Sequence, residues 1–171
     1  MTDEKINPMK EIRIEKVVVN MGCGEAGEKL DRAKKLLRGL LGKEVTTTKT
    51  KSRTTFGMAK GREVGVKVIL RRKEASEFLN RAFEAVENKI KAGVFDKQGG
   101  FSFGIKEHIS FPDVRYDPEI GIYGMDICVS LERRGFRVAR KRNGRKISKT
   151  HRITSDEARD WVLKNFKVKI E

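Results

Sequence analysis

The sequence has few of the residues that mark disulfide-rich or zinc-binding proteins. Its 171 residues include only two cysteines, two histidines, three prolines and one tryptophan. Cys23 and Cys128 lie far apart and form no Cys-x-x-Cys pair, which argues against a disulfide framework and against a zinc site. We therefore expect two reduced, buried thiols, and we expect no metal and no cofactor.

Long apolar runs are also absent. No run approaches the roughly 20 apolar residues of a membrane-spanning helix. The first residues, MTDEKINPMKEIR, lack the apolar core of a secretory signal. These absences predict a cytoplasmic protein without a membrane partner, and the length favours one domain over residues 1–171.

Positive charge is what the sequence has in excess. The net charge is +15 and the pI is near 10.0, and a balance this basic indicates an anionic partner, most often nucleic acid. Residues 43–72 have a net charge of +7 and residues 132–152 have +9, so the rest of the chain is nearly neutral. Two such segments should repel each other unless a polyanion or ordered counterions lie between them.

The most basic parts of these segments have little apolar content. Residues 48–65, TKTKSRTTFGMAKGREVG, are named the basic loop, and residues 132–152 are named the basic segment. The end of the basic segment, KRNGRKISKTHR, should be ordered only by a partner. In the basic loop, cations suit phosphates and threonine hydroxyls suit RNA contacts. Phe56 suits either stacking on an unpaired base or anchoring the loop to its own domain.

Hydrophobic periodicity predicts the elements between these stretches. Alternating and β-branched runs predict strands over 15–21, 44–48, 64–71 and 123–132, with a strand or hairpin arm within 95–109. Apolar stripes predict helices over 28–41 and 73–91. A third helix should follow Thr154, which forms a capping box with Glu157.

Strands and helices mix without strict βαβ alternation. This order favours an α+β fold: a two-layer sandwich with a mostly antiparallel sheet, helices on one face and a basic loop extension. The other face of the sheet is then free to meet a partner, as in RNA-binding sheet domains.

Gly22, Gly24 and Gly27 have the G-x-G-x-x-G spacing of a dinucleotide-binding site, after a predicted strand and before a helix. The rest of that fingerprint is missing, because Glu44 starts its strand and a basic loop follows where a second βαβ unit is required. A glycine-rich turn is the preferred interpretation. A dinucleotide-binding enzyme stays as an alternative.

Two other groupings could carry catalysis. Asp113, Asp117, Glu119 and Asp126 could bind a metal ion in a nuclease, but the first three lie in a proline-punctuated loop where such residues make turns. His108, in a predicted strand, has no evident nucleophile as a partner. We expect no catalytic and no metal-binding residues.

Five motifs occur in an order that resembles a known family. They are VVVNMGCGEAGEKL, KTKSRTTFGMAKGREVGVKVILR, EFLNRAF, FSFGIKEHISFP and GIYGMDICVSLERRGFRVARKR. Over roughly residues 10 to 165 the chain resembles large-subunit ribosomal protein number five, in its archaeal and eukaryotic form. The resemblance implies a non-enzymatic protein that binds 5S rRNA in the central protuberance. It also implies contacts with large-subunit rRNA, P-site tRNA and neighbouring ribosomal proteins, including one in the small-subunit head.

The resemblance also implies which residues meet RNA. The end of the first strand and the first half of the basic loop would lie against 5S rRNA, and the tip of the loop would reach P-site tRNA. The basic segment would hold further rRNA backbone or neighbouring proteins. Ile69 stands where the family often has a hydroxyl residue. The implied rRNA-binding residues are Asn20, Met21, Gly22, Lys49, Thr50, Lys51, Ser52, Arg53, Thr54, Arg133, Arg134, Arg137, Arg140, Lys141 and Arg142, and the implied tRNA-facing residues are Phe56, Gly57, Met58, Lys60 and Arg62.

A rival function is that of a free-standing RNA-binding regulator with a ferredoxin-like sheet. Such a protein would share the basic loops but would need aromatic residues on its open sheet face for base stacking. The strand sequences VVVNM and VKVILR contain no aromatic residue.

Overall fold

A computed structural model describes residues 7–53, 58–112 and 114–170. The elements follow the chain as strands and helices with short 3₁₀ turns between them. They are β1 (Ile12–Gly22), α1 (Glu28–Leu41), β2 (Thr46–Lys49), β3 (Glu63–Leu70), α2 (Arg72–Ala85), β4 (Lys89–Ile90), β5 (Phe101–Ile105), β6 (Met125–Arg133), α3 (Arg137–Arg140), α4 (Ser155–Asn165) and β7 (Lys169–Ile170).

The main sheet has five strands in the order β2-β3-β1-β6-β5, and every neighbouring pair in it is antiparallel. The predicted α+β class with a mostly antiparallel sheet is confirmed. Strands β1, β2, β3 and β6, with α1 and α2 between them, follow the split βαβ order of ferredoxin-like folds. Both neighbours of β1 run antiparallel to it, whereas a dinucleotide-binding sheet needs parallel neighbours. The sheet therefore lacks the parallel βαβ unit that the dinucleotide-binding alternative requires.

Alternation along the strands places the core on one face of the sheet. Val17, Val19 and Met21 of β1 are at most 1% exposed, and they belong to one buried cluster with residues of α1 and α2. The intervening residues point to the opposite side, where Ile69 of β3 is 43% exposed. The helices therefore cover one face, as predicted, and the other is named the open face.

The phenylalanines fill the core instead of the open face. Of the eight phenylalanines that the structure describes, seven are buried. The ring of Phe83 lies 5.4 Å from that of Phe103 and 5.0 Å from that of Phe166, measured between centroids. Among the described residues, the open face carries no aromatic side chain from β1, β3 or β6. The stacking platform that the rival regulator needs is therefore not present on these strands.

Both cysteines were expected to be buried, and this is wrong for Cys128. Cys128 is exposed because it lies on the open face, directly opposite Val18 of β1. Cys23 is partly buried, and burial raises the pKa of its thiol. The described residues contain no helix long and apolar enough to cross a membrane.

Local signals set several element boundaries correctly. Helix α1 covers the predicted range and ends at Gly42, whose positive φ of 61° and N–H bond to the Arg38 carbonyl close the helix. Helix α4 begins after Thr154, and the capping box with Glu157 is present. Strand β1 is longer than predicted, since it starts at Ile12.

Helix α2 is shorter than predicted. It ends at Ala85, because Glu87 and Asn88 adopt positive φ and the Asn88 N–H donates to the Phe83 carbonyl at 2.8 Å. The apolar stripe nevertheless continues to Ile90, which is buried in β4 where that strand pairs with β7. A strand from the far end of the chain thus buries a position that the periodicity assigned to the helix.

His108 was placed in a strand, and this is also wrong. It lies in a 3₁₀ turn, His108–Ser110, and is 1% exposed. Its Nδ1 accepts from the Tyr123 backbone N–H at 3.3 Å, and its own backbone N–H donates to the Tyr123 carbonyl at 3.0 Å. Burial disfavours the charged ring and lowers the pKa of His108, against smaller opposite effects from Tyr123 and Glu107.

The buried His108 should make stability depend on pH. As pH falls through about 6.5, the unfolded chain takes up a proton on this residue before the folded chain does. The free energy of unfolding should therefore fall between about pH 7.5 and pH 5.5 in urea titrations. His108→Asn, which keeps an acceptor in place of Nδ1, should show a smaller fall than the wild type. An undiminished fall in His108→Asn would contradict this assignment.

Candidate nucleic-acid interface

The two basic regions lie at opposite ends of β1. Gly22, at the end of β1, pairs with Gly65 of β3, which also pairs with Thr48 at the base of the basic loop. Ile12, at the start of β1, pairs with Arg133, where the basic segment begins. Eleven residues of strand separate these ends by about 33 Å.

This separation corrects one expectation from the sequence. At about 33 Å the two regions lie several Debye lengths apart, since that length is about 10 Å at 0.1 M salt. Repulsion between the basic loop and the start of the basic segment is therefore weak, whereas Arg71 and Arg72, at the end of residues 43–72, line one cavity with Ile12 and Glu132. The basic loop and the basic segment can each meet a different part of a large partner.

Near the basic loop, the register aligns polar side chains in a row across the open face. Asn20 of β1 lies between Lys67 of β3 and Asp126 of β6. The next row is mostly apolar, with Val18 between Ile69 and Cys128. Both rows belong to the side of the sheet that the helices do not cover.

Two glycines pair where β1 ends and β3 begins, Gly22 with Gly65. A Cβ atom at Gly65 would lie 2.8 Å from Thr48 Oγ1 and 3.0 Å from the Met21 carbonyl, so the three strands meet there only because residue 65 has no side chain. A Cβ atom at Gly22 would meet nothing within 4 Å. Asn20 and Gly22 are thus on the open side, whereas Met21 is 1% exposed and offers RNA no side chain in this conformation.

Thr50 closes the neck of the basic loop. Its N–H donates to the Arg62 carbonyl at 2.9 Å, and its own carbonyl accepts from the Gly61 N–H at 3.0 Å. Its hydroxyl donates to the Ala59 carbonyl at 2.7 Å and accepts from the Arg62 N–H at 3.1 Å. Thr50 was predicted to contact RNA, but its hydroxyl is already used inside the loop.

The cations beyond this neck are available. Lys51, Arg53, Lys60 and Arg62 are exposed, and within the described ranges none of them forms an ion pair. Lys49 differs, since its Nζ lies 3.6 Å from a carboxylate oxygen of Glu63 on the neighbouring strand.

Only two of the remaining predicted residues of the basic loop lie in the part of the chain that the structure describes. Ser52 is exposed and Met58 is half-buried. Thr54, Phe56 and Gly57 lie outside the described residues, so both interpretations of Phe56 stay open.

Two arginines of the basic segment are paired with carboxylates of the protein itself. The Arg133 side chain is 7% exposed; its guanidinium lies 2.7 Å from Glu157 Oε1 and donates to the Arg152 carbonyl at 3.2 Å. Arg140 lies 2.6 Å from Glu132 and 3.1 Å from Glu15. These contacts make internal positioning a competing role for two residues that were predicted to bind RNA.

Other cations of the basic segment point outward. Arg134 is exposed and lies 3.4 Å from the exposed Glu11. Arg137, Lys141 and Arg142 are exposed and make no ion pair with any described residue. These three fit the predicted role of phosphate contacts.

Glu157 is ionised in its pair with Arg133. Burial favours the neutral acid, but the Thr154 backbone N–H and the Arg133 guanidinium outweigh it and lower the pKa of Glu157 below its usual value.

The alternative chemical sites are not assembled. Glu25 and Glu28, beside the glycine turn, pair with Lys29 at 3.0 Å and Arg32 at 3.2 Å on the surface of α1. In the parts of the chain that the structure covers, no three His, Cys, Asp or Glu side chains converge as metal ligands. Asp113 lies outside those parts.

Three residues of these regions, Lys67, Glu15 and Glu132, were not identified from the sequence, and Asp126 was considered only as a metal ligand. Lys67 and Asp126 alternate with buried residues along their strands, so the strand period could have placed them on the open face. Glu15 and Glu132 hold Arg140, and Glu132 also holds Arg13 from 119 residues away along the chain. No local signal reports such a contact.

Comparisons with known proteins give one consistent result. The family described as ribosomal protein L5 matches residues 7–57, and the C-terminal part of the same ribosomal family matches residues 63–162. The chain is 50% identical over 170 residues to the large ribosomal subunit protein uL5 of Sulfurisphaera tokodaii, covering 98% of this chain and 96% of that protein. It is 45% identical over 168 residues to the uL5 protein of Thermoplasma acidophilum, covering 96% and 99%.

The neck contacts of Thr50 predict a local effect. Thr50→Val removes the hydroxyl but keeps the side-chain shape, so two hydrogen bonds disappear at a cost of about 1 kcal/mol. Amide hydrogen exchange at Arg62 should become roughly fivefold faster. Ser52→Ala is the matched control, because its hydroxyl has no hydrogen bond to a described residue, and it should leave Arg62 unchanged. Equal exchange rates at Arg62 in the two variants would rule out a role of the Thr50 hydroxyl in closing the neck of the basic loop.

Proposed function

The chain belongs to the ribosomal protein L5 family, and on that premise we propose that it binds 5S rRNA through the basic loop and the adjacent open face. Family membership makes it a structural, non-catalytic component of the large ribosomal subunit, with the ribosome and its rRNA as partners. Binding to 5S rRNA in the central protuberance is the further step that we propose.

The observation that carries this proposal is the set of unpaired cations beside the open face of the sheet. Lys51 and Arg53 leave the neck of the basic loop next to the paired glycines Gly22 and Gly65. Cations without internal partners can neutralise phosphates and release counterions, which supplies most of the affinity for RNA. Gly22, where a Cβ atom would meet nothing within 4 Å, lets a sugar–phosphate backbone approach the sheet closely.

The polar row on the open face supports base or ribose recognition. Asn20 offers both a donor and an acceptor, and Lys67 on one side of it can hold a phosphate. Asp126 on the other side repels phosphates, so it suits the donor groups of a base edge or a 2′-hydroxyl. Ile69, in the next row, offers apolar contact and no hydrogen bond.

The tip of the basic loop and the basic segment then have separate partners. We propose that Phe56, Gly57, Met58, Lys60 and Arg62 face P-site tRNA. Family resemblance supports this role, and so does the position of Lys60 beyond the neck at Thr50. The basic segment, at the other end of β1, would contact large-subunit rRNA and neighbouring ribosomal proteins, including one in the small-subunit head.

Binding to 5S rRNA should depend on this loop more than on net charge. Lys51→Ala with Arg53→Ala should lower affinity at least tenfold and reduce the log–log salt slope by about 0.7 to 0.9 for each phosphate that the variant no longer neutralises. Lys164→Ala with Lys167→Ala removes the same charge from exposed positions near α4 and should have little effect. Filter binding to 5S rRNA over a salt series measures both quantities. An unrelated structured RNA of equal length should bind wild type more weakly.

Equal losses in the two double variants would show that overall charge, and not the basic loop, drives binding. Affinity that does not change with salt would contradict the electrostatic mechanism itself.

A further inference from the structure

Glu132 is a buried carboxylate that binds two arginines from distant parts of the chain. It is 8% exposed at the end of β6. Its Oε1 lies 2.6 Å from Arg13 Nη2, and its Oε2 lies 2.6 Å from Arg140 Nη2. A buried carboxylate is costly unless it is paired, so Glu132 favours the conformation that brings both guanidinium groups to it.

Arg140 fastens the middle of the basic segment to the body of the protein. It bridges Glu132 on β6 and Glu15 on the neighbouring β1, whose side chains are only 11% and 15% exposed. Arg140 itself is 44% exposed, so it lies over these carboxylates from the solvent side.

The two ends of the basic segment are fastened to each other. Arg133 donates to the Arg152 carbonyl at 3.2 Å, and His151 Nε2 lies 2.8 Å from the Arg134 carbonyl oxygen. The rings of Phe136 and His151 pack edge to face with centroids 5.6 Å apart. Residues 134–151 therefore form a loop that is closed at its neck and anchored at its centre.

We propose that Glu132 is a positioning residue that, by holding Arg140, keeps the basic segment in the shape that binds rRNA backbone. This inference rests on the proposed rRNA-binding function. The phosphate contacts come from the other exposed cations, which make no ion pair with a described residue: Arg137, Lys141, Arg142, Arg145, Lys146 and Lys149. A preformed loop loses less conformational entropy when it binds.

The variant Glu132→Gln distinguishes a positioning role of Glu132 from an effect of net charge alone, because the two predict opposite changes in RNA affinity. Glu132→Gln raises the net charge by one, so an account based on charge alone expects tighter RNA binding. If Glu132 positions the segment, the variant should bind RNA more weakly, because neutral Gln no longer forms the ion pair with Arg140. Arg140→Gln changes the charge in the opposite direction, yet under positioning it should give the same result.

The test uses the full chain and deproteinised large-subunit RNA from Sulfurisphaera tokodaii, including its 5S rRNA, over a salt series. Glu132→Gln and Arg140→Gln should each bind about three- to tenfold more weakly than wild type, with faster hydrogen exchange across 134–152. Arg142→Gln should have a salt slope smaller by about 0.7 to 0.9, with unchanged exchange. Glu11→Gln, the matched control at an exposed carboxylate paired with Arg134, should bind as tightly as wild type or more tightly.

Two results would overturn the inference while leaving the proposed function intact. One is Glu132→Gln binding as tightly as wild type or more tightly. The other is Arg140→Gln behaving like Arg142→Gln, with a reduced slope and unchanged exchange, which would make Arg140 a phosphate contact. If Glu132→Gln fails to fold, the half-exposed Arg140→Gln decides alone. A wild type without salt-dependent RNA binding would instead refute the proposed function.

Discussion

The hydrogen-bonded pairing of β1 with both β3 and β6 is the constraint on which the rest of the structure depends. This register places Gly22 beside the basic loop and Ile12 beside the basic segment, so it sets the distance between the two regions. It also sets which side chains reach the open face. A slip of one residue would turn Asn20 into the core and expose Met21.

Much of the fold could be predicted because its signals are local. The alternation in β3 and the apolar stripe of α1 predict which of their residues are buried. The capping box of Thr154 and Glu157 predicts where α4 starts from four consecutive residues. The end of α2 could not be predicted this way. Ile90 keeps the helical spacing, but pairing between β4 and β7 buries it from a strand 80 residues further along the chain.

The sequence predicted which regions are basic, but it did not predict which of their cations are free to bind RNA and which have internal partners. The sequence identified the basic loop and the basic segment, because clustered cations need no tertiary information. It did not separate Arg142, which is exposed, from Arg133 and Arg140, which have carboxylate partners. Those partners come from other elements, so the division between binding and positioning arginines depends on tertiary contacts. Thr50 shows the same limit, since its hydroxyl closes the loop neck.

The central claim is that the two ends of β1 meet two different RNA elements. It is tested most directly by photo-crosslinking from position 52 in the basic loop and from position 143 in the basic segment, followed by sequencing of the attached RNA in assembled large subunits. The account predicts 5S rRNA at position 52 and large-subunit rRNA at position 143. Crosslinks from both positions to the same RNA element would contradict it.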